Sequence, residues 1–454
     1  MTSFVYSLVA FIVAIGVLVV VHEFGHYWIA RRVGVKVLRF SIGFGKPLWS
    51  RRFGADQTEL VVAALPLGGY VKMLDEHEGQ VAEGDLHRAF NRQSLIKRGA
   101  VVLAGPLFNF LFAILAYWAL FTVGIEGIKP VVGRVAEGSI AQKAGFHAGD
   151  VILSMDGKRV LSWDQRRLYL FKKALDKSEV SVKVRDSQGQ IETHVLDLSS
   201  LSANELSSGM LEQAIGLYGY LPSIPPVVGT VLSGSPAARA GLLDGDRIVT
   251  IDGKPIKSWD DVVTLISADP GRSVTVGVDR AGRKLNFTLT PEIVESEGKR
   301  IGRIGIGVKP PEIPADMQVL VRMNPARALL ESADDTWLMS SLTLKMLAKI
   351  VELNVSTHSI SGPITIAQYA GYSAQIGFGR FLMFLAVISI SLGVLNLLPV
   401  PILDGGHLLM YVIEAVKGGP IPERALYWSQ QIGLALLVAL MALAFYNDFV
   451  RIFQ

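Results

Sequence analysis

The sequence His-Glu-Phe-Gly-His at residues 22–26 follows directly on a run from Leu8 to Val21 that carries no polar side chain. On a helix, His22 and His26 are spaced i, i+4 and project from one face. Two imidazole nitrogens so placed suit a single zinc ion. Glu23 lies about 100° further round the helix, where a carboxylate can meet a metal-bound water without ligating the metal, as a general base must. Zinc makes such a water reactive by lowering its pKa toward about 7. Each ionisable group placed in a bilayer costs roughly 2.5 kcal/mol or more. That weighs against an accidental spacing and against a merely structural His–Glu pairing. Gly25 leaves no side chain beside the histidines, so another helix or a substrate can approach closely.

Two histidines are not enough, because a catalytic zinc takes three protein ligands and keeps a fourth position open. The stretch ISLGVLNLLPVPILDGGHLL (390–409) carries Asn396, Pro399, Pro401, Asp404 and His407 where a smooth lipid-facing helix would carry none of them. Prolines break helices, and broken helices at membrane depth line enclosed cavities. Asp404 is the first candidate for the third ligand, with His407 its rival. Asn396 suits hydrogen bonding to an incoming peptide backbone or a developing oxyanion; the alternative is a helix–helix contact.

The elements that must position these residues are membrane spans. The chain has 454 residues, enough for about three units, of which 50% are hydrophobic and only 19% charged, with a mean hydropathy of +0.39. A net charge of +4 makes no case for nucleic acid. With no cysteine, disulfides, thiolate ligands and a cysteine nucleophile are excluded. Four segments, 4–30, 99–123, 378–403 and 427–446, are long and apolar enough to span a bilayer. The first lacks a basic n-region and a small-residue cleavage site before Arg31, so a retained span is expected rather than a signal peptide. Residues 31–98 hold twelve Lys and Arg, whereas residues 1–21 hold none. The positive-inside rule then places the 31–98 loop in the cytoplasm and the N-terminus outside. Region 124–377 follows outside, 404–426 inside, and the tail 447–454 outside, which in a bacterium is the periplasm.

The outer region contains a repeat. PVVGRVAEGSIAQKAGFHAGDVILSMDGKRVLSWDQ (130–165) aligns without gaps to PVVGTVLSGSPAARAGLLDGDRIVTIDGKPIKSWDD (226–261), with 19 of 36 positions identical. Each copy reads as a strand, a helical turn, an Ala-Gly…Gly-Asp turn and an Asp-Gly hairpin. The pattern resembles PDZ domains of the circularly permuted bacterial type. It implies one domain over 124–222 and a second over 223–310, with peptide-end loops at Ile215-Gly216-Leu217 and Ile304-Gly305-Ile306. A PDZ ligand stays open. Beyond them, in 311–377, Ala326, Leu330, Ala333, Trp337, Leu344, Leu347 and Val351 recur at helical spacing. They predict an amphipathic helix, lying on the outer membrane surface or packed on the PDZ pair.

In the 31–98 loop, VKVLRFSIGFG (35–45) and ELVVAALPLGGYVKM (59–73) read as long apolar strands. A peptide bond inside a helix is shielded, so a substrate helix must unwind, and extended peptides are commonly held by strand addition. The two strands are expected to form a sheet dipping toward Glu23, with Gly43, Gly45, Gly68 and Gly69 permitting close approach of the substrate. The alternative is a hairpin that only caps the bundle.

HEFGH in a first span and N-x-x-P-x-P-x-x-D-G in a third resemble the site-2 protease family of intramembrane zinc metalloproteases. So do RFSIGFGKPLW (39–49), PLGGYVKMLDE (66–76), AGPLFNF (104–110) and SGPITIAQ (361–368). The resemblance implies one zinc per chain held by His22, His26 and Asp404, Glu23 as catalytic base, and Asn396 as a substrate-handling residue. Bacterial members with tandem PDZ domains cut transmembrane anti-sigma factors already trimmed on the periplasmic side, and clear remnant signal peptides, in the inner membrane. Their PDZ pair filters substrates by size. The fold expected is a polytopic α-helical membrane protein with four transmembrane helices, two α+β PDZ domains and a membrane-associated β-hairpin or sheet. Two other readings compete. A non-enzymatic PDZ scaffold leaves Glu23 unexplained. A metal transporter with His22, His26 and Asp404 at its midplane predicts an inverted repeat among the spans, and the sequence has none.

Overall fold

A computed structural model describes residues 2–77, 79–201, 211–220, 224–296, 299–309, 313–352 and 361–453. The expected unit boundaries at 222/223 and 310/311 lie outside the described residues. Seven longer helices carry the apolar part of the chain: α1 (Thr2–Arg32), α2 (Leu95–Val123), α3 (Pro325–Val351), α4 (Pro363–Ile376), α5 (Phe378–Asn396), α6 (Asp404–Lys417) and α7 (Glu423–Phe453). Four of them, α1, α2, α5 and α7, are long and apolar enough to cross a membrane. Arg31 and Arg32 close α1, where cations favour the helix dipole.

The third apolar segment departs from expectation. Its helix stops at Asn396 rather than running to residue 403. Residues 397–403 instead make successive turns, with Val400 N–H donating to Leu398 O and Ile402 N–H to Val400 O. Pro399 and Pro401 lack N–H donors and disfavour helix in the residue before them. Chain direction then recovers at Asp404, which opens α6, so the expected 404–426 loop contains a helix of 14 residues. Helix α4, within the expected linker, was also not read from the sequence. Asp448 of α7 caps it, its carboxylate accepting from Gly362 N at 2.9 Å and Ile364 N at 2.8 Å.

Helix α3 packs on α2 and α5 through Ala328, Met339 and Leu347, against Tyr117, Leu120 and Ile390. The stripe singled out from spacing faces mostly the other way, with Leu330, Trp337 and Leu344 exposed. Contact with the first PDZ unit includes two ion pairs, Lys158 to Asp334 at 2.6 Å and Lys345 to Asp176, a hydrogen bond from Gln165 to Glu331, and packing of Leu161.

The two repeats fold alike. The first pairs strands Lys158–Arg159, Val151–Met155, Glu179–Arg185 and Ile191–Asp197 in that order; the second pairs Lys254–Pro255, Arg247–Ile251, Val274–Arg280 and Arg283–Leu289. Even the irregularities repeat, between Ile152 and Ser154 and between Ile248 and Thr250. The grooves differ, however. Beside helix Trp259–Ala268 in the second copy is a cleft of about 390 Å³ reaching Ile304, Gly305 and Ile306. Its counterpart in the first copy is about 30 Å³. Glu212 closes over that counterpart by accepting from the Trp163 indole at 3.2 Å.

Strands β1 (Val37–Phe53) and β2 (Thr58–Met73) form the sheet of the 31–98 loop. Each bends, so Phe40 faces both Val71 and Leu60, and Ile42 faces both Gly69 and Val62. The 39–42 segment is thus interior to the sheet, flanked on both sides. The aromatic and aliphatic residues Phe44, Leu48, Trp49 and Leu65 stand exposed at one end. An apolar tip of this kind is at home in lipid rather than water.

Asp246 in the second PDZ unit is 1% exposed; Arg280 Nε and Nη2 donate to its two oxygens at 2.7 Å each, and Leu243 N–H donates at 2.9 Å. Burial pushes its pKa up, but the guanidinium and the N–H outweigh burial and hold the carboxyl below its ordinary value. The pair therefore stabilises the fold fully above the unfolded carboxylate pKa of about 4, and less as pH falls through the native value. Asp246→Ala should cost about 2 kcal/mol, below the range for a fully buried pair because Arg280 reaches solvent. Hydrogen exchange of the Arg247–Ile251 and Val274–Arg280 strands at pH 7 should show the loss, and at pH 3 the difference from wild type should shrink.

Candidate metal centre and active site

Three potential ligand atoms converge from two elements far apart in sequence. His22 Nε2 and His26 Nε2 are 3.2 Å apart, and Asp404 Oδ2 lies 3.2 Å from the first and 3.5 Å from the second. Ligands at about 2.0–2.1 Å from a tetrahedral zinc stand roughly 3.3–3.4 Å from one another, so the triangle has the size of one face of a zinc site. The donor chemistry agrees. Asp404 Oδ2 is buried with no hydrogen-bond partner, the condition of a carboxylate oxygen that a cation would satisfy. Among the described residues this is the one group of three acidic or imidazole side chains close enough to share a metal.

Helix α2 holds both histidines. His26 Nδ1 lies 2.8 Å from the Val101 carbonyl, which requires Nδ1–H and leaves the Nε2 lone pair free. His22 Nδ1 lies 3.1 Å from the Asn109 side-chain amide. For His22 Nε2 to ligate a cation, Nδ1 must carry the proton and the amide must present its oxygen. Asn109 is 0% exposed, and Ser389 Oγ donates to its main-chain carbonyl at 2.9 Å, so α5 holds this stretch of α2 in turn. Close approach depends on two glycines. A Cβ on Gly105 would fall on the His26 and His22 rings, and one on Gly25 would overlap the Ala104 carbonyl. The spacing around Gly25 predicted close approach without saying by what; it is α2.

The remaining sequence candidates are distributed as follows. Glu23 lies beside the imidazoles on α1, and the main-chain N–H of Val71 is directed at its carboxylate. Gly69 is the point where the sheet meets α1, because a Cβ there would strike Val19 and the Glu23 side chain. Gly43, Gly45 and Gly68 adopt positive φ of 95°, 88° and 156°. Gly43 lies against the main-chain carbonyls of Ala63 and Leu65, and Gly68 against the Phe44 ring, so both are needed to turn the sheet itself. Asn396 is half-buried at the end of α5, beside the turns that deliver Asp404. His407, the rival ligand, lies one turn beyond Asp404 on α6 and outside the group of three. Asn109 and Gly105 were missed as site residues. Their signal was the short polar and small-residue run AGPLFNF inside an otherwise apolar span.

An imidazole pair with a carboxylate opposite and a second carboxylate alongside, set among apolar helices, has the donor set that a zinc metalloprotease working within a membrane would need. Residues 10–440 match the model of Peptidase family M50, and the chain belongs to that family. It is 45% identical over 452 residues to the Regulator of sigma-E protease RseP of Escherichia coli strain K12, covering 100% of both chains. Protease RseP of Yersinia pestis is 43% identical over 454 residues, and a Vibrio cholerae chain described as a candidate zinc metalloprotease is 41% identical over 457, each again end to end. The chain is accordingly a zinc metalloprotease of the site-2 type with PDZ domains, an inner-membrane protein rather than a scaffold or a transporter.

Gly105→Ala should force α1 and α2 apart at the histidines. Zinc bound per chain should fall well below that of wild type while the PDZ units keep their hydrogen-exchange protection; metal analysis with exchange on the same preparation checks both.

Proposed function

We propose that His22, His26 and Asp404 hold one zinc ion per chain and that Glu23 is the general base for hydrolysis of a peptide bond in a transmembrane segment. The observation that carries this reading is the meeting of Asp404 with two histidines of a distant helix, beside a carboxylate that belongs to neither pair of contacts. Bound zinc supplies a Lewis acid and a water of lowered pKa. Glu23 then accepts a proton on its carboxylate and returns it to the leaving amine nitrogen. The imidazole tautomers are held by the Val101 carbonyl and the Asn109 amide, which keeps both Nε2 atoms facing Asp404.

The substrate reaches Glu23 as an extended strand. Among the described residues, Gly69–Val71 pairs as a strand along one side only, with Phe40–Ile42, and it is this segment that faces Glu23. Strand addition there brings the substrate backbone across the site, with Gly69 seating the strand close against Glu23 and with Gly43, Gly45 and Gly68 shaping the turn behind it. Asn396 hydrogen-bonds the bound backbone from the end of α5. The unit division expected from the sequence supports placing both PDZ units and both termini in the periplasm, with the β1–β2 sheet on the cytoplasmic side. The names of the relatives support an anti-sigma factor as the membrane-bound substrate, cut after periplasmic trimming. Remnant signal peptides are a second substrate class of the same form, and the surrounding lipid is the constant partner.

Cleavage of a single-span model substrate by purified wild type and Glu23→Gln, with zinc measured in both, tests the reading. The variant should lose about 10²–10⁴ of the rate and keep its zinc. Equal rates, or zinc in neither protein, would contradict the assignment.

A further inference from the structure

Asp404 is carried by a helix whose far end is fastened to the same face of α2 that holds the histidines. On α6, Asp404, His407, Tyr411 and Glu414 recur at i, i+3, i+7 and i+10 and are all half-buried, while Leu409, Val412, Ile413 and Val416 are exposed. At the end of this face, Arg98 Nη2 donates to Glu414 Oε1 at 2.8 Å, and the guanidinium lies over the Tyr411 ring, 4.9 Å from its centroid. Both charges are largely withdrawn from solvent, at 17% and 19% exposure. On α2, Arg98 is followed at helical spacing by Val101, Gly105 and Asn109. Those are the residues that grip His26 and His22. One stripe of α2 thus registers both halves of the metal site, the histidines directly and Asp404 through α6.

The near end of α6 is held differently. Gly405 and Gly406 lie against the main-chain carbonyls of Leu397, Leu398 and Val400, with no room for a Cβ. That packing sets where α6 begins and leaves its roll and tilt to be fixed elsewhere. Glu414 is ten residues on, about 15 Å along the helix. An aspartate oxygen stands roughly 5 Å from its helix axis, so a roll of about 10° displaces Oδ2 by about 1 Å. A metal triangle whose edges must hold near 3.3 Å does not tolerate that displacement.

We propose that Arg98 is a positioning residue: paired with Glu414 and stacked on Tyr411, it locks α6 against α2 so that Asp404 stays at the third corner of the zinc site. The inference rests on Asp404 being a ligand. Its readout is zinc retention, the rate at which a chromogenic chelator strips zinc from the detergent-solubilised full-length protein. Arg98→Glu and Glu414→Arg should each release zinc about 10–100-fold faster, the scale of outer-shell contributions to metal affinity. The double variant Arg98→Glu/Glu414→Arg should recover most of the wild-type rate, and Arg98→Glu should release zinc faster at temperatures well below the melting transition of its own zinc-free form. Wild-type release rates in the single variants would overturn the proposal, as would a double variant no better than either single or faster release that only tracks a lower melting temperature of the zinc-free protein. Asp404→Ala separates the two readings. If it holds zinc like wild type, the ligand assignment fails; if it loses zinc while Arg98→Glu does not, the lock alone fails.

Discussion

Two imidazole lone pairs and a carboxylate oxygen meeting within 3.5 Å in an apolar setting is the constraint on which the rest of this protein depends. None of these groups can be left to face hydrocarbon, and none is satisfied by the others alone. A cation at their centre would resolve the conflict. Holding the three atoms in place without it falls to the surrounding helices. Helix α2 answers for the histidines, with a glycine where their rings lie and polar atoms where their Nδ1 atoms point. The proline turns after Asn396 answer for Asp404, because an unbroken helix would have carried it past the site.

The β1–β2 sheet and the PDZ units stand at different distances from the same centre. The β1–β2 sheet touches α1 at Gly69 and Val71, next to Glu23, so a strand added at that edge would lie beside the Glu23 carboxylate. The PDZ units lie after α2, the helix that holds His22 and His26, and the first is joined by ion pairs to α3, which packs on α2 and α5. Their grooves have diverged despite shared topology: Glu212 occupies the first, whereas the second stays open beside Ile304 and Gly305.

Much of this was legible in the sequence, for definite physical reasons. His22, Glu23 and His26 stood out because charge in an apolar run is costly. The PDZ pair stood out because a repeat leaves an alignable trace. Asp404 was legible through the prolines that precede it. Periodicity was a poorer guide where a helix has two apolar faces. On α3 it picked out Leu330 and Trp337, which are exposed, and passed over the small residues Ala328 and Ser332 that are buried. Asn109 left only a faint trace in AGPLFNF, because a lone amide in a span resembles helix–helix glue, and Val101 left none, because it acts through a main-chain carbonyl that every residue has. The double flanking of 39–42 was equally hidden, since strand order is decided by how β1 and β2 bend and not by their composition.

Zinc K-edge X-ray absorption on the purified full-length protein, wild type beside Asp404→Ala, tests the central claim most directly. The account predicts two imidazole ligands and light-atom oxygen ligands at about 2.0–2.2 Å in the wild type, with no sulfur. In Asp404→Ala the zinc bound per chain should fall well below that of wild type. Three imidazoles in the wild type, or an Asp404→Ala spectrum and zinc content identical to wild type, would contradict it.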